Sequence, residues 1–464
     1  MRRDSILLNA AVNGTAQALG RLVRFVTTSI AIVRFGAAGW GEVAFAYTLI
    51  AYINFVLNFG MSSFALIERP DDTRLDRKIF TAMGYIRGCL VMGLAFVAIM
   101  AYFAMDLSCG TVLKIYLLTV FLRPVNIDWL IARKGLAGIN SLVQFFRQGL
   151  LLALIYFVHV PSIEYFAVMD VGTEVLATIA LWVVGPRNGL SLGPPNKEEW
   201  KEGLRCYQGS LILFVSSALL LLHQNVDIFF LKFFGGNAMV GIYDYCYRYA
   251  LFVFLLGGSL SEPLRRQLAR LKEVSAEQES DRLVLSSHKI LGVMSAGFLL
   301  FALLFSEFIF SKIVPISVDF PASRLMFLFA CWLVVSFFSV PWSEWLISQS
   351  KKKYLVLAAI AGCANLLFNL WLVPTYGIFG AAVAKICSEL SIFIYLFLSV
   401  DSKKRRQFTK VFYIHLLLIP CVVCFWKTGG VSLWLATATI VVEVLVIFFT
   451  KYLSKRDLQV LARN

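Results

Sequence analysis

The chain is short of histidine, of acidic residues and of long polar stretches. The four histidines, His159, His223, His288 and His415, are too widely spaced to suggest a metal site. The nine cysteines are scattered through apolar segments, which argues against a disulfide framework. Cys109 alone falls in an external connection, with no partner. Cys421 and Cys424 form a CxxC, but it lies inside an apolar run and reads as packing. Catalytic constellations are missing too. The longest external connection, near residues 313–324, contains one acid, Asp319, so the chain reads as neither an enzyme nor a cofactor carrier.

What is abundant is apolar surface. The 464 residues are 59% hydrophobic, with a formal net charge of +15, and the mean hydropathy is +0.76. A membrane helix needs about 20 apolar residues to cross a hydrocarbon core of about 30 Å. Fourteen such segments follow one another, near 9–33, 40–67, 79–105, 112–130, 139–158, 163–185, 204–231, 238–262, 284–311, 325–349, 354–373, 378–400, 410–426 and 431–450. The first is interrupted by Asn9, Asn13, Gln17, Arg21 and Arg24, so it reads as a retained helix rather than a cleaved signal. The expected fold is an all-α integral membrane protein of about fourteen transmembrane helices.

The basic residues fix an orientation. With the N-terminus inside and the segments alternating, the inside connections and their flanking helix ends hold 30 of the 43 Lys and Arg. The outside ones hold Arg34, Lys232, Lys312, Arg324 and Lys427. Cytoplasmic connections are the basic ones, so both termini are placed in the cytoplasm. Topology thus accounts for most of the positive charge, and nucleic acid is not an expected partner.

An internal repeat divides the chain. Phe35-Gly36 and Gly41 after the first segment correspond to Phe234-Gly235-Gly236 and Gly241 after the seventh, with the glycines offset by 200. Six intervening crossings make the repeat parallel. The expected plan is two six-helix halves, residues 1–200 and 201–402. Two more helices and a cytoplasmic tail follow over 403–464.

Eight basic residues remain within the segments: Arg21, Arg24, Arg87, Lys114, Arg123, Arg147, Arg248 and Lys385. At 1.5 Å per residue, Arg24, Arg123, Arg147 and Arg248 all lie about 15–17 Å deep, near the midplane. Charge at that depth faces a cavity or a partner. On the first helix Asn9, Asn13, Gln17, Arg21, Arg24 and Thr28 share an arc of about 120°, a stripe suited to lining water or a polar substrate. A stripe that joins helices is the competing reading. Asp244 with Arg248, and Lys385 with Glu389, are spaced i,i+4 and can pair locally. Asp227 lies toward the outer end of the seventh segment, as a helix-contact or lumen residue. Asp170 and Glu174 are like charges at i,i+4. They suit a proton- or ion-coupling site, or partners for midplane arginines.

Arg123-Pro124…Asp128-Trp129, Asp227…Gly241-Ile-Tyr243 and above all Asn365…Pro374-Thr-Tyr-Gly377…Gly380-Ala-Ala carry a family resemblance. With Asn9 and the Phe35-Gly36…Gly41 turn, the chain resembles the polysaccharide flippases of the MATE-like superfamily. These are bacterial O-antigen and exopolysaccharide lipid-carrier flippases. The resemblance implies a MATE-like fold in the cytoplasmic membrane. It implies movement of undecaprenyl-diphosphate-linked oligosaccharide to the outer leaflet by alternating access, with membrane lipids around it and polysaccharide polymerase and glycosyltransferases as partners. Arg21, Arg24 and Arg248 stand on the helices whose arginines hold the headgroup in related lipid II flippases. Arg123 and Arg147 join them as diphosphate ligands, and Asn13, Gln17, Asn54, Asn58 and Tyr247 as sugar contacts. A cation-coupled drug or metabolite exporter, and a non-transporting scaffold, are the alternatives.

Overall fold

A computed structural model describes residues 3–59, 79–94, 110–133, 136–158, 160–184, 194–258, 261–308, 322–401 and 405. The segments expected at 410–426 and 431–450, and Cys109, Cys421 and Cys424, lie outside the described residues. Among those described, every regular element is helical. They are α1 (Arg3–Asn58), α2 (Ile79–Leu94), α3 (Thr111–Leu117) with a 3-10 continuation over Leu118–Val125, α4 (Asp128–Arg133), α5 (Ala137–Phe157) and α6 (Ile163–Val184). Then come α7 (Lys197–Gly258), α8 (Ser261–Glu273), α9 (Glu277–Phe308), α10 (Ala322–Gln349) and α11 (Lys351–Ser399).

Seven of these helices are long and apolar enough to cross a membrane. Three are too long to cross once. The apolar part of α1 has 47 residues, that of α7 38 and that of α11 48. A straight 47-residue helix would measure about 70 Å, twice a hydrocarbon core. Each instead breaks at one glycine: Gly36 (φ 73°, ψ 172°), Gly236 (φ 73°, ψ −171°) and Gly377 (φ 54°, ψ −130°). Such angles are close to glycine-only. Contacts across each break show that the chain doubles back. Arg24 reaches Tyr47 across Gly36, Tyr243 reaches Asp227 across Gly236, and Ser388 Oγ donates to the Ala361 carbonyl at 3.0 Å across Gly377. Each long helix is therefore a hairpin of two arms. The outward faces are apolar, as lipid requires: Phe157 and Phe233 are more than four-fifths exposed.

The fourth expected segment is not one α-helix. Pro124 lacks an N–H, and the chain runs as a 3-10 helix over Leu118–Val125. Trp182 Nε1 of α6 donates to the Val125 carbonyl at 2.8 Å, and the Asn126 side chain starts α4 by accepting from the Asp128 N–H at 3.1 Å. A 3-10 helix rises about 2.0 Å per residue, so Arg123 lies about 20 Å along this segment, deeper than uniform α-geometry suggests.

The chain forms two compact units, Met1–Ala218 and Leu219–Asn464. In the first, α1 packs chiefly on α5, and α5 on α6. In the second, α10 packs on α9, α11 and α8. The stretch around 263–283, read above as a connection, contains the amphipathic helix α8. Leu264, Leu268 and Leu271 sit at helical spacing in a core with Phe338 and Trp342. Arg265 grips Glu344 of α10 through two hydrogen bonds of 2.6 and 3.1 Å. Lys272 donates to the Ser348 and Gln349 carbonyls at the C-terminus of α10, where a cation suits the helix dipole.

Candidate functional site

In the first unit the Gly36 hairpin lays the Arg24 guanidinium over the Tyr47 ring, 4.7 Å from its centroid. The Tyr47 hydroxyl donates to Asp170 of α6, and so does Tyr116 of α3, at 2.9 Å. Arg147 of α5 completes the shell. Its Nη2 lies 2.9 Å from Asp170 and its Nη1 2.6 Å from Glu174. Arg123 approaches Glu174 at 3.9 Å. One guanidinium fork therefore spans two carboxylates one helical turn apart, which a point-charge ammonium could not match. Asp170 and Glu174 do not stand as a bare like-charge pair. Asp170 is 1% exposed and bonded by two hydroxyls and an arginine.

The polar stripe of α1 is hydrogen-bonded along its length. Asn13 accepts from Ser141 of α5 at 2.5 Å and from Gln17 at 2.9 Å, and Arg21 reaches Gln17 at 3.5 Å. Thr28 is buried, while Gln17 and Arg21 are exposed. Further along, Asn58 accepts from Arg87 at 2.6 Å, and the buried Asn54 Oδ1 has no hydrogen-bond partner. The arginines chosen from the sequence thus fall into two groups. Arg123, Arg147 and Arg248 each lie within 4 Å of a carboxylate, Arg248 at 2.5 Å from Asp244. Among the described residues Arg21 and Arg24 have none: Arg21 touches an amide, Arg24 a ring. The buried Nε atoms of Arg123 and Arg147 also lack acceptors.

The second unit repeats the aromatic platform with a different cation. Tyr247, offset by 200 from Tyr47, carries the Lys385 ammonium of α11 4.4 Å from its ring centroid. Lys385 was read above as a local partner of Glu389. It instead reaches Asp227 of α7 at 3.0 Å and the Gln224 carbonyl at 2.8 Å. Asp227, wholly buried, is the better partner because Tyr243 also donates to it. Glu389 faces His223, whose Nε2 is 3.3 Å away. The Asn365 side chain donates to the His223 carbonyl, and Asn369 donates to Asn365 Oδ1 at 2.6 Å.

Sequence reasoning gave no site role to Tyr47, Tyr116, Tyr243 or His223. The repeat held the missing signal for one of them, since the glycine offset of 200 maps Tyr247 onto Tyr47. No three His, Cys, Asp or Glu side chains gather as a metal site among the described residues.

Comparison with known proteins gives a consistent answer at two levels. The polysaccharide biosynthesis protein family matches residues 6–256. No curated protein matches the chain. Solved structures share the fold at low identity. The lipid II flippase MurJ, in an inward closed conformation, aligns at 13% identity and a TM-score of 0.71, covering 97% of this chain and 99% of that one. An inward-facing multidrug-resistance MATE transporter of the MOP superfamily aligns at 15% identity and a TM-score of 0.63, covering 87% and 98%. A MOP superfamily transporter from Pyrococcus furiosus, described as having a binding pocket of reversed polarity, aligns at 15% identity and a TM-score of 0.52, covering 88% and 96%.

Proposed function

Because the chain belongs to the polysaccharide biosynthesis protein family, we propose that it is a flippase for lipid-linked oligosaccharide. In this reading it moves undecaprenyl-diphosphate-linked units from the cytoplasmic to the outer leaflet of a bacterial cytoplasmic membrane. Both termini lie in the cytoplasm, and two six-helix halves alternate access to the substrate. The fold is that of a multi-pass membrane transporter. Substrate, direction and membrane are our inference.

The observation that carries it is the pair Arg21 and Arg24. Cations within a membrane segment are normally matched by an acid or a backbone carbonyl. These two lie one turn apart on the polar stripe of α1 and have no carboxylate among the described residues. A diphosphate is the ligand they suit, since it offers several anionic oxygens to two planar forks. Arg123, Arg147 and Arg248 are already engaged by acids. Arg123 and Arg147 therefore serve the site by holding the first unit together, with their remaining N–H groups as secondary donors, while Arg248 pairs with Asp244 inside the second unit. Asn13, Gln17, Asn54 and Asn58 supply neutral contacts for sugars, and among the described residues Asn54 has an acceptor to spare.

A charge-assisted hydrogen bond is worth about 1.5–3 kcal/mol, so losing one arginine should weaken headgroup binding about ten- to a hundredfold. The test measures surface polysaccharide and membrane abundance in Arg21→Ala, Arg24→Ala and the double variant. Loss of polysaccharide at normal abundance is the expected result, and Lys at either position should rescue only in part. Normal polysaccharide in the double variant would refute the diphosphate role.

A further inference from the structure

One cluster in the second unit is defined by how many protons it holds. His223 Nδ1 lies 2.9 Å from Ser388 Oγ, and Ser388 Oγ lies 3.0 Å from the Ala361 carbonyl. On the far side of the ring, Nε2 lies 3.3 Å from Glu389 Oε2. All three side chains are buried. A serine hydroxyl has one hydrogen to give. If it goes to Ala361, Nδ1 must be the donor to Ser388. Nε2 then confronts the Glu389 carboxylate, and that contact is repulsive unless a second proton sits on the ring or on the carboxyl. If the serine hydrogen turns to Nδ1, the neutral ring donates from Nε2 to an ionised Glu389 and no further proton is needed. Both arrangements satisfy every group, and they differ by one proton.

We infer that His223 and Glu389 form a proton-binding site, with the Ser388 hydroxyl as the rotor that lets the pair exist with and without its proton. The surrounding charges favour occupancy. Asp227 and Lys385 lie one turn along their helices from His223 and Glu389, and they pair with each other at 3.0 Å. Tyr243 donates to Asp227, and Tyr247 lies against Lys385. With the histidine neutral and Glu389 ionised, these four charged or titratable side chains total one buried negative charge. One added proton brings the total to zero, relieving the desolvation of an unmatched carboxylate. The Asn365 side chain holds the His223 carbonyl, so proton exchange proceeds by turning a hydroxyl rather than by moving a helix. What the proton does rests on the transport reading: a site that gains and loses one proton between the two sides of a membrane can couple flipping to a pH gradient.

The proton itself is read by nitrogen NMR of the full chain in lipid nanodiscs with labelled histidine. Each of the four histidines contributes two ring-nitrogen signals, and His223→Gln identifies the pair of interest. Between pH 5 and 9 the His223 ring should change its protonation with a single midpoint. Glu389→Gln should move that midpoint, because it removes the carboxylate facing Nε2. Should Glu389→Gln fail to accumulate, Ser388→Ala takes its place, because it removes the hydroxyl facing Nδ1. A His223 ring that keeps one neutral tautomer across the range, or a midpoint unmoved by either variant, overturns the site. Proteoliposomes with a fluorescent undecaprenyl-diphosphate oligosaccharide test the coupling. One pH unit across the membrane should shift the leaflet distribution by up to about tenfold in the wild type and not in Glu389→Gln. An equal shift in both would end the coupling role. Absence of flipping in the wild type under any gradient would count against the flippase reading alone, since the NMR result decides the proton site independently.

Discussion

Removing the Arg147 side chain should expose how the first unit tolerates two carboxylates within a membrane. Asp170 is 1% exposed, and Arg147 is the cation that touches it. Arg147→Ala would leave Tyr47 and Tyr116 as donors but strip the counter-charge, with Glu174 left to Arg123 at 3.9 Å. Breaking one side of a buried ion pair costs about 3–5 kcal/mol, because the surviving charge stays desolvated. For a unit of 150–250 residues each kcal/mol moves the melting temperature by about 2–4 °C, so a fall of roughly 6–20 °C is expected. Asp170→Asn in the same background removes the stranded charge and should recover a large part of that loss. Arg147→Lys should fall between wild type and Ala, since an ammonium cannot span both acids. The assay is thermal unfolding of purified protein in mild detergent, followed by gel filtration of a fluorescent fusion. A melting temperature within about 2 °C of wild type for Arg147→Ala would refute the reasoning. So would a double variant whose loss is the plain sum of the singles, because coupling energy is what an ion pair contributes. Normal stability with absent surface polysaccharide would instead transfer Arg147 to direct substrate binding.

Gly36→Ala and Gly236→Ala should each lose about 1–3 kcal/mol through backbone strain alone, and a melting series would show it. No neighbour lies within 4 Å of either added Cβ, so a neutral result would refute the strain argument without appeal to packing. Lys385→Met should strand the wholly buried Asp227 and lower membrane abundance, and adding Asp227→Asn should restore it. Abundance unchanged in Lys385→Met would mean that the pair contributes nothing net. Reporter fusions after residues 75, 192, 275 and 405 should report cytoplasm, and fusions near 108, 236 and 376 the outside. An external signal from residues 265–282 would overturn the orientation drawn from the basic residues.

The hairpin breaks were legible because their physics is local. A left-handed, extended turn between two membrane helices admits essentially glycine, so Phe35-Gly36 and Gly235-Gly236 announce themselves in the sequence. Pro374-Thr-Tyr-Gly377 marks the third turn for the same reason. The small residues after it permit close approach, since a Cβ on Gly380 would stand 2.1 Å from the Leu372 carbonyl oxygen. The polar clusters were legible only as an inventory. Periodicity placed Arg147, Asp170 and Glu174 within the membrane, but nothing local says that α5 presents its guanidinium to α6. Local spacing misled outright for Lys385. It pointed to Glu389 at i+4, whereas Asp227 lies 158 residues away and is offered by a neighbouring helix together with a tyrosine hydroxyl and a backbone carbonyl. The depth of Arg123 failed for a similar reason, because Pro124 changes the rise of the helix it ends.

The two units keep one aromatic position and differ in the cation above it, and that difference separates two chemistries. Over Tyr47 the cation is Arg24, on a helix stripe with a second arginine one turn away that has no carboxylate among the described residues. Asp170 and Glu174 of that unit are engaged by Arg147, which leaves Arg24 its charge for an incoming anion. Over Tyr247 the cation is Lys385, 1% exposed and fully engaged by Asp227 and a carbonyl. Within that cluster Glu389 is left without a lysine, and His223 is the titratable group set against it. A lysine locked in this way cannot serve a phosphate, and an arginine pair without acids keeps its protons and cannot exchange one near neutral pH. The proposed anion site therefore falls in the first unit and the proposed proton site in the second. Removing the cations tests that division. Lys385→Met with Asp227→Asn should leave headgroup binding intact while changing the His223 midpoint. Arg21→Ala with Arg24→Ala should abolish headgroup binding and leave that midpoint where it was.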